Sequence, residues 1–569
     1  MQCQSFVSYI SVAILDDNEK LANLNSGVSA LLSLASIARC IPSSCTESDL
    51  STSFNLFLQK NSLGYSVPFI QNCHTAEEET ELMAEDWVMV GIISFFALLT
   101  IIGTLVDIFC RYFSNAFCTS KHIQVLQGFS LYSNTLMLLS TQQPKADALP
   151  CINGIRFMST AWIIILHVYG KFKPIIAPPV VDTLTFNDPT GPFYGNILFY
   201  AILSPIAVDS FFFIGSTLLS YLHLYQLEKY KGGNVKFWFK YYVHRYIRLT
   251  GVYAVCIGLT SSLFKFLATG PSSFIVTYQV KNCKENWWKN LLYINNYNDI
   301  KEACFAHAWY LAVDFQFYLI SPIFLLAFWY KPLVGWLINS SAMLAATITP
   351  MVVAFKYELP FALITMPFEV APDYMSKFYT VPWCRFQPYI GGIMFGYILH
   401  RLREQLTVKL NIIFVISLWA LFSAMGASVI FSLFPLGKDF MESGGTDMVG
   451  SLAGRVLYSG LHRLAWSLWL GWIILACTKN VGGPVNSFLS WPVWIPFARL
   501  SYLIYLVHFP IIDYLKSVLT FNVYFTHTFA VFFFFATLVV SSLMSFVLYI
   551  LIEIPISYIE KIMFSVIFN

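Results

Sequence analysis

Apolar runs of about twenty residues recur along this chain from position 87 onward, separated by short polar stretches. A helix of that length crosses the hydrocarbon of a bilayer, and the pattern predicts eleven of them. The first is 87–110, with Glu85 and Asp86 before it and Arg111 after it. The other ten lie near 152–169, 196–225, 249–268, 308–330, 333–355, 389–402, 410–434, 461–477, 495–512 and 527–552. The segment 389–402 is short and is expected to be tilted or re-entrant. The fold class is therefore all-α and polytopic: one transmembrane helix followed by a ten-helix bundle over 151–569.

The first 86 residues break this pattern and read as a small folded region. Residues 31–40 have helical apolar spacing that ends at Ile41-Pro42. Cys3, Cys40, Cys45 and Cys73 fall here, and four cysteines in a small polar region suggest a disulfide-containing extracellular or lumenal domain. Three pairings are open, and free buried thiols are the alternative. Phe6 to Leu15 lacks a basic segment before it and does not read as a signal peptide. Export is then expected to depend on a start further upstream or on helix 87–110 itself. Residues 111–150 read as a polar cytosolic linker. Cys118, Cys151, Cys256, Cys384 and Cys477 lie in or beside apolar segments and are expected to be inert buried thiols.

Composition sharpens the class. The chain has 569 residues, 57% hydrophobic and 11% charged, against about 25% charged in soluble proteins. A net charge of +3 with no basic run interleaved with aromatics gives no footing for a nucleic-acid partner. Orientation follows from the loop 226–248, where Lys229, Lys231, Lys236, Lys240, Arg245 and Arg248 face one acid, Glu228. The positive-inside rule makes that loop cytosolic. The amino terminus is then extracellular or lumenal, the carboxyl terminus cytosolic, and the loop with Cys283 and Cys304 outside, where a bridge can form.

Polar residues inside the apolar runs carry the candidate chemistry, because an ionisable group in a span is expensive and normally faces a polar cavity. Arg156 and His167 stand eleven steps apart, which is three helical turns plus roughly 20°, so they share a face about 16 Å apart along the axis. Asp209 is expected mid-helix, four residues after Pro205. Asp314 and Gln316 follow Trp309 and Tyr310 in one span, and His508 precedes Phe509-Pro510 in another. Arg385 and Glu553 are expected near span ends. Bland readings stand beside these. A buried aspartate paired with an arginine holds two helices together, a terminal arginine snorkels, and a histidine before proline satisfies freed backbone. In His244-Arg-Tyr-Ile-Arg248 the two arginines share one side and suit phosphates, or else anionic lipid.

Arg156-x10-His167, Val208-Asp-Ser-Phe-Phe-Phe213, His244-Arg-Tyr-Ile-Arg-Leu249, Ala308-Trp-Tyr-Leu311 and Tyr502-Leu-Ile-Tyr-Leu-Val-His508 resemble, in order, the blocks of the acyltransferase-3 family of membrane acyltransferases. The cysteine-bearing amino-terminal region is similar to that of the nose-resistant-to-fluoxetine group. One departure is Ile214-Gly-Ser216, where the family usually reads Ser-Gly and local packing is expected to shift. The resemblance implies acyl transfer from acyl-coenzyme A, as co-substrate, to a hydroxyl or amine of a lipid or small molecule, without a metal. It implies His167 as general base with Arg156 and Asp209 in the catalytic set. Arg156 is expected to bind donor phosphate or to pair with Asp209. Arg245, Arg248 and Arg385 are expected to hold the nucleotide end, and Trp309, Tyr310, Asp314, Gln316, His508 and Glu553 to line the site. The alternative on the same fold is a non-enzymatic transporter or lipid-handling protein. An enzyme is expected to show a tunnel from the cytosol narrowing at His167.

Overall fold

A computed structural model describes residues 5–14, 39–41, 52, 56, 65–75, 81–113, 118, 120–142, 149–172, 180–181, 188–268, 273–403, 411–519 and 523–568. Near the amino terminus the backbone strands Ser5–Ile14, Arg39–Ile41 and Tyr65–Thr75 pair antiparallel, with the first in the middle. The helix expected over 31–40 meets a strand at Arg39–Ile41. The rest of that segment lies outside the described residues, as do the side chains of Cys3, Cys40, Cys45 and Cys73. Apart from these strands and the short pair Val180–Val181 with Val523–Tyr524, the described secondary structure is helical.

Eleven helices among the described residues run to twenty residues or more. They are α1 (Ala84–Tyr112), α2 (Cys151–Phe172), α3 (Ile206–Lys229), α4 (Val235–Ser261), α5 (Trp309–Tyr330) and α6 (Pro332–Lys356). The rest are α7 (Pro382–Arg401), α8 (Ile412–Phe431), α9 (Leu452–Thr478), α10 (Trp494–Ser517) and α11 (His527–Leu548). Among the described residues nine helices are long and apolar enough to cross a membrane, and α4 and α7 coincide with the other two expected segments. In hydrocarbon every backbone polar group must be satisfied within the chain, which makes the helix the default for such segments.

Pro205 divides the segment expected as one helix over 196–225. Proline has no N–H to continue the ladder and pushes the preceding residue out of helical geometry. A short helix ends at Ile202, α3 starts at Ile206, and Asp209 lies in the first turn of α3 rather than at mid-helix. From there α3 runs beside α7. A Cβ on Gly392 would meet Ser216 Oγ and the Phe213 carbonyl, and one on Gly396 would meet Thr217 O and Ser220. Small residues four apart let helix backbones approach closely in a membrane. Arg385 and Asp209 each lie seven residues before this contact, at Gly392 and Ser216, so parallel packing brings them level. Ser216, the departure from the family pattern, is the residue against Gly392, while Gly215 faces Asp314.

The expected linker 111–150 contains helices Lys121–Gln127 and Leu131–Leu139. Arg499 Nη1 donates to the carbonyls of Met137, Leu138 and Ser140 at 2.7 Å, docking the segment on α10. Cys118 is not an inert thiol: it bridges to Cys110 at the end of α1, with the Cα atoms 5.6 Å apart. Cys283 and Cys304 form the expected second bridge, and Cys151, Cys256, Cys384 and Cys477 are free and buried. At its other end α1 is tied by Lys265 to Asp86 (2.7 Å) and by Lys284 to Glu85 (2.6 Å).

Candidate active site

His167 and Arg156 lie on the unbroken helix α2 and both stay half-buried rather than sealed. His167 Nδ1 is 2.8 Å from His508 Nε2, the two rings stacked at 5.1 Å between centroids. His508 is fully buried, and its Nδ1 lies 2.7 Å from the Tyr505 carbonyl, three residues back on α10. A carbonyl only accepts, so His508 Nδ1 carries the proton and its Nε2 offers a lone pair. His167 Nδ1 must then donate to it. That leaves the lone pair of His167 on Nε2, the state a proton acceptor requires.

A third imidazole completes the group. Pro510 sits inside α10 and cannot donate to the carbonyl four residues back, Leu506. His307 Nε2 donates to that carbonyl at 3.2 Å, and its Nδ1 has no hydrogen-bond partner among the described residues. The His307 ring stands edge-on to His508 at 5.2 Å and to His167 at 6.4 Å. So His307, not His508, takes the backbone group that the proline frees. His307 escaped notice in the sequence although it abuts the Ala308-Trp-Tyr-Leu311 block.

An aromatic ladder leads from the histidines to the arginines. The Tyr505 ring contacts His307 at 5.4 Å and Tyr310 at 5.5 Å, and Tyr310 lies within electrostatic reach of Arg156. Arg245 and Arg248 on α4 lie within the same reach of Arg156. Arg245 is committed to Asp314 in an ion pair and lies over the Tyr318 ring at 5.0 Å. His244 next to it pairs with the buried Glu560. Among the described residues Arg156 and Arg248 make no direct ion pair. Arg248 is exposed, and it is the charge facing Glu553.

Asp209 and Arg385 stand apart from this group. Arg385 Nη1 is 2.9 Å from Asp209 Oδ2, both residues are 1% exposed, and Arg463 Nε on α9 lies 3.5 Å from the same oxygen. Asp209 therefore pairs with Arg385 and Arg463 and not with Arg156. Arg385 neither snorkels nor faces Arg245 and Arg248. It donates from Nε to the Tyr379 carbonyl at 2.9 Å, under the rings of Trp309 and Tyr379. Burial pushes the nearby Tyr374 phenol up to about 12, so it stays a neutral hydroxyl. Arg463 was missed in the sequence, although an arginine inside an apolar run is its own signal. Gln316 donates to Tyr293 O and Asn296 Oδ1 at 2.9 Å.

Two cavities are notable, and neither is lined by His167 or Arg156, so neither is the expected tunnel. One, about 660 Å³, opens at the surface between Thr190–Ile197, Phe434 and His527. The other, about 20 Å³, lies beside Asp209, Arg385 and Arg463.

A family model described as an acyltransferase domain, that of acyltransferase-3, matches residues 149–546. Among curated proteins, Nose resistant to fluoxetine protein 6 of Caenorhabditis elegans is 26% identical over 518 residues, covering 84% of this chain and 60% of that protein. Regulator of hypoxia-inducible factor 1 of the same organism is 21% identical over 418 residues, covering 69% of this chain and 76% of that one. This chain thus spans only 60% of the length of the first of these relatives. No solved structure matches. The family match runs across Arg156, His167, Asp209, His307, Arg385, Arg463 and His508, and this chain belongs to the acyltransferase-3 family.

Proposed function

We propose that this protein is an integral membrane acyltransferase that moves an acyl group from acyl-coenzyme A to a hydroxyl or amine of a lipid or small molecule. The observation that carries the reading is the proton order of the histidine pair. Tyr505 O fixes the His508 tautomer, and His508 in turn leaves the His167 Nε2 lone pair free.

In this reading His167 Nε2 takes the proton of the acceptor as its oxygen or nitrogen attacks the thioester carbonyl. The carbon–sulfur bond then breaks, and the thiolate leaves with the proton held by the imidazolium. A base of this kind contributes on the order of 10² to 10⁴ in rate. Arg156 and Arg248 hold donor phosphates, with Arg245 kept in place by Asp314. The span of about 16 Å between Arg156 and His167 asks for a donor with a long arm between phosphate and thioester, and coenzyme A has one. The donor enters from the basic face around Lys229–Arg248, which we assign to the cytosol.

The test is transfer from labelled acyl-coenzyme A by the purified full chain. His167→Ala is expected to remove activity while the protein stays folded, and Arg248→Ala to weaken donor binding more than turnover. Undiminished transfer by His167→Ala would retire the base assignment. Donor binding by the wild type without any transfer, across a panel of acceptors, would favour the transporter or lipid-handling reading instead.

A further inference from the structure

The Asp209 cluster buries more positive charge than it neutralises. Arg385 and Arg463 are 1% and 2% exposed, and guanidinium groups stay protonated in proteins. Among the described residues, the carboxylate facing them is Asp209; the other groups in electrostatic reach, the phenols of Tyr374 and Tyr379 and the thiol of Cys384, are neutral. His462, also at the cavity, donates from Nδ1 to the Tyr458 carbonyl and adds no negative charge. Two cations against one anion leave one charge unbalanced, and an unpaired buried charge is strongly unfavourable.

The hydrogen bonds tell the same story. Among the described residues Arg385 Nη2, Arg463 Nη1 and Arg463 Nε make no hydrogen bond, the last standing 3.5 Å from Asp209 Oδ2 in its ion pair. Both guanidinium groups line the small cavity with Tyr374, Tyr379, Tyr458 and His462. Its volume of about 20 Å³ holds one water-sized species. A water there would satisfy donors but leave the charge, and a phosphate or carboxylate group is too large. Asp209 Oδ1 also lacks a donor among the described residues, so an anion must sit against the free guanidinium nitrogens and away from that oxygen.

We propose that this cavity binds one small monovalent anion, chloride under ordinary conditions, held between Arg385 Nη2 and Arg463 Nη1. The bound halide closes a neutral cluster with Asp209 and pins α3, α7 and α9 together. The site does not depend on the acyl-transfer reading.

The full chain in detergent is melted in chloride and in gluconate at equal ionic strength. Chloride is expected to raise the wild-type midpoint saturably, by roughly 2–8 °C, and Arg463→Gln to remove that rise. Bromide substituted for chloride is expected to give heavy-atom density in the cavity of the wild type, which decides the matter if Arg463→Gln does not fold. Equal melting in the two salts, an undiminished rise in a folded Arg463→Gln, or a cavity that holds only water in bromide would each overturn the proposal.

Discussion

A histidine eleven residues after an arginine on one helix says where two side chains point, but not which ring nitrogen is free. That second fact comes from His508, 341 residues away along the chain, and from a backbone carbonyl on its own helix. In the proposed acyl transfer, His508 would be a positioning residue whose removal acts through His167. His508→Leu leaves His167 Nδ1 without an acceptor, and turnover is expected to fall on the order of 10²-fold. His508→Gln supplies an amide oxygen that still accepts from Nδ1, so it should fall less. Initial rates with labelled donor check the order, and a fully active His508→Leu would show that the pair is packing alone. Sequence spacing found Arg156 and His167 because both sit on one helix. It did not find His307, whose orientation depends on a carbonyl freed by Pro510 on a different helix. Asp209 was legible as a buried acid, but its partners were not, because Arg385 and Arg463 reach it from two other helices.

Hydropathy located the helices and trimmed those that carry charge. The segment expected to start at 249 belongs to a helix that starts at Val235, and the one expected at 389 starts at Pro382. In each case the omitted turns hold the charged residues, His244, Arg245 and Arg248 in one and Arg385 in the other. Those side chains lower the apolar average, while the ion pairs of His244, Arg245 and Arg385 hold the turns in place. The close pass of α3 and α7 was equally hidden, since glycine carries no hydropathy signal for packing. It has a sharp consequence. Gly392→Ala places a methyl group against the Phe213 carbonyl and Ser216 and must push the helices apart, at a cost of about 1–3 kcal/mol. At Gly391 the nearest atom is the flexible end of Met343, 3.3 Å away, and Gly391→Ala should be tolerated within about 0.5 kcal/mol. Paired melting curves test the difference. Equal midpoints would mean that the helices do not pack as closely as this geometry requires.

At the scale of the whole molecule two cues to orientation disagree. Six basic residues against Glu228 in the loop 226–248 are a cue for placing that loop, and with it the far end of α1, on the cytosolic side. The start of α1 is tied by Lys265 and Lys284 to the region of the Cys283–Cys304 bridge, which fits an oxidising outer face. The Cys110–Cys118 bridge lies at the opposite end of α1, on the basic face, where a reducing cytosol keeps thiols apart. Charge sets topology during insertion, whereas a bridge forms only if its surroundings permit, so the basic loop is the stronger cue and Cys110–Cys118 is expected to be reduced in cells. Lys236 is exposed at the start of α4 and makes the choice measurable. With Lys236→Cys, a membrane-impermeant maleimide should label intact cells no more than the wild type does and should add label once the membrane is opened. Labelling of Lys236→Cys in intact cells would invert the protein, bring the acyl donor site to the wrong side for cytosolic coenzyme A, and leave Arg156, Arg245 and Arg248 to be explained by some other anion.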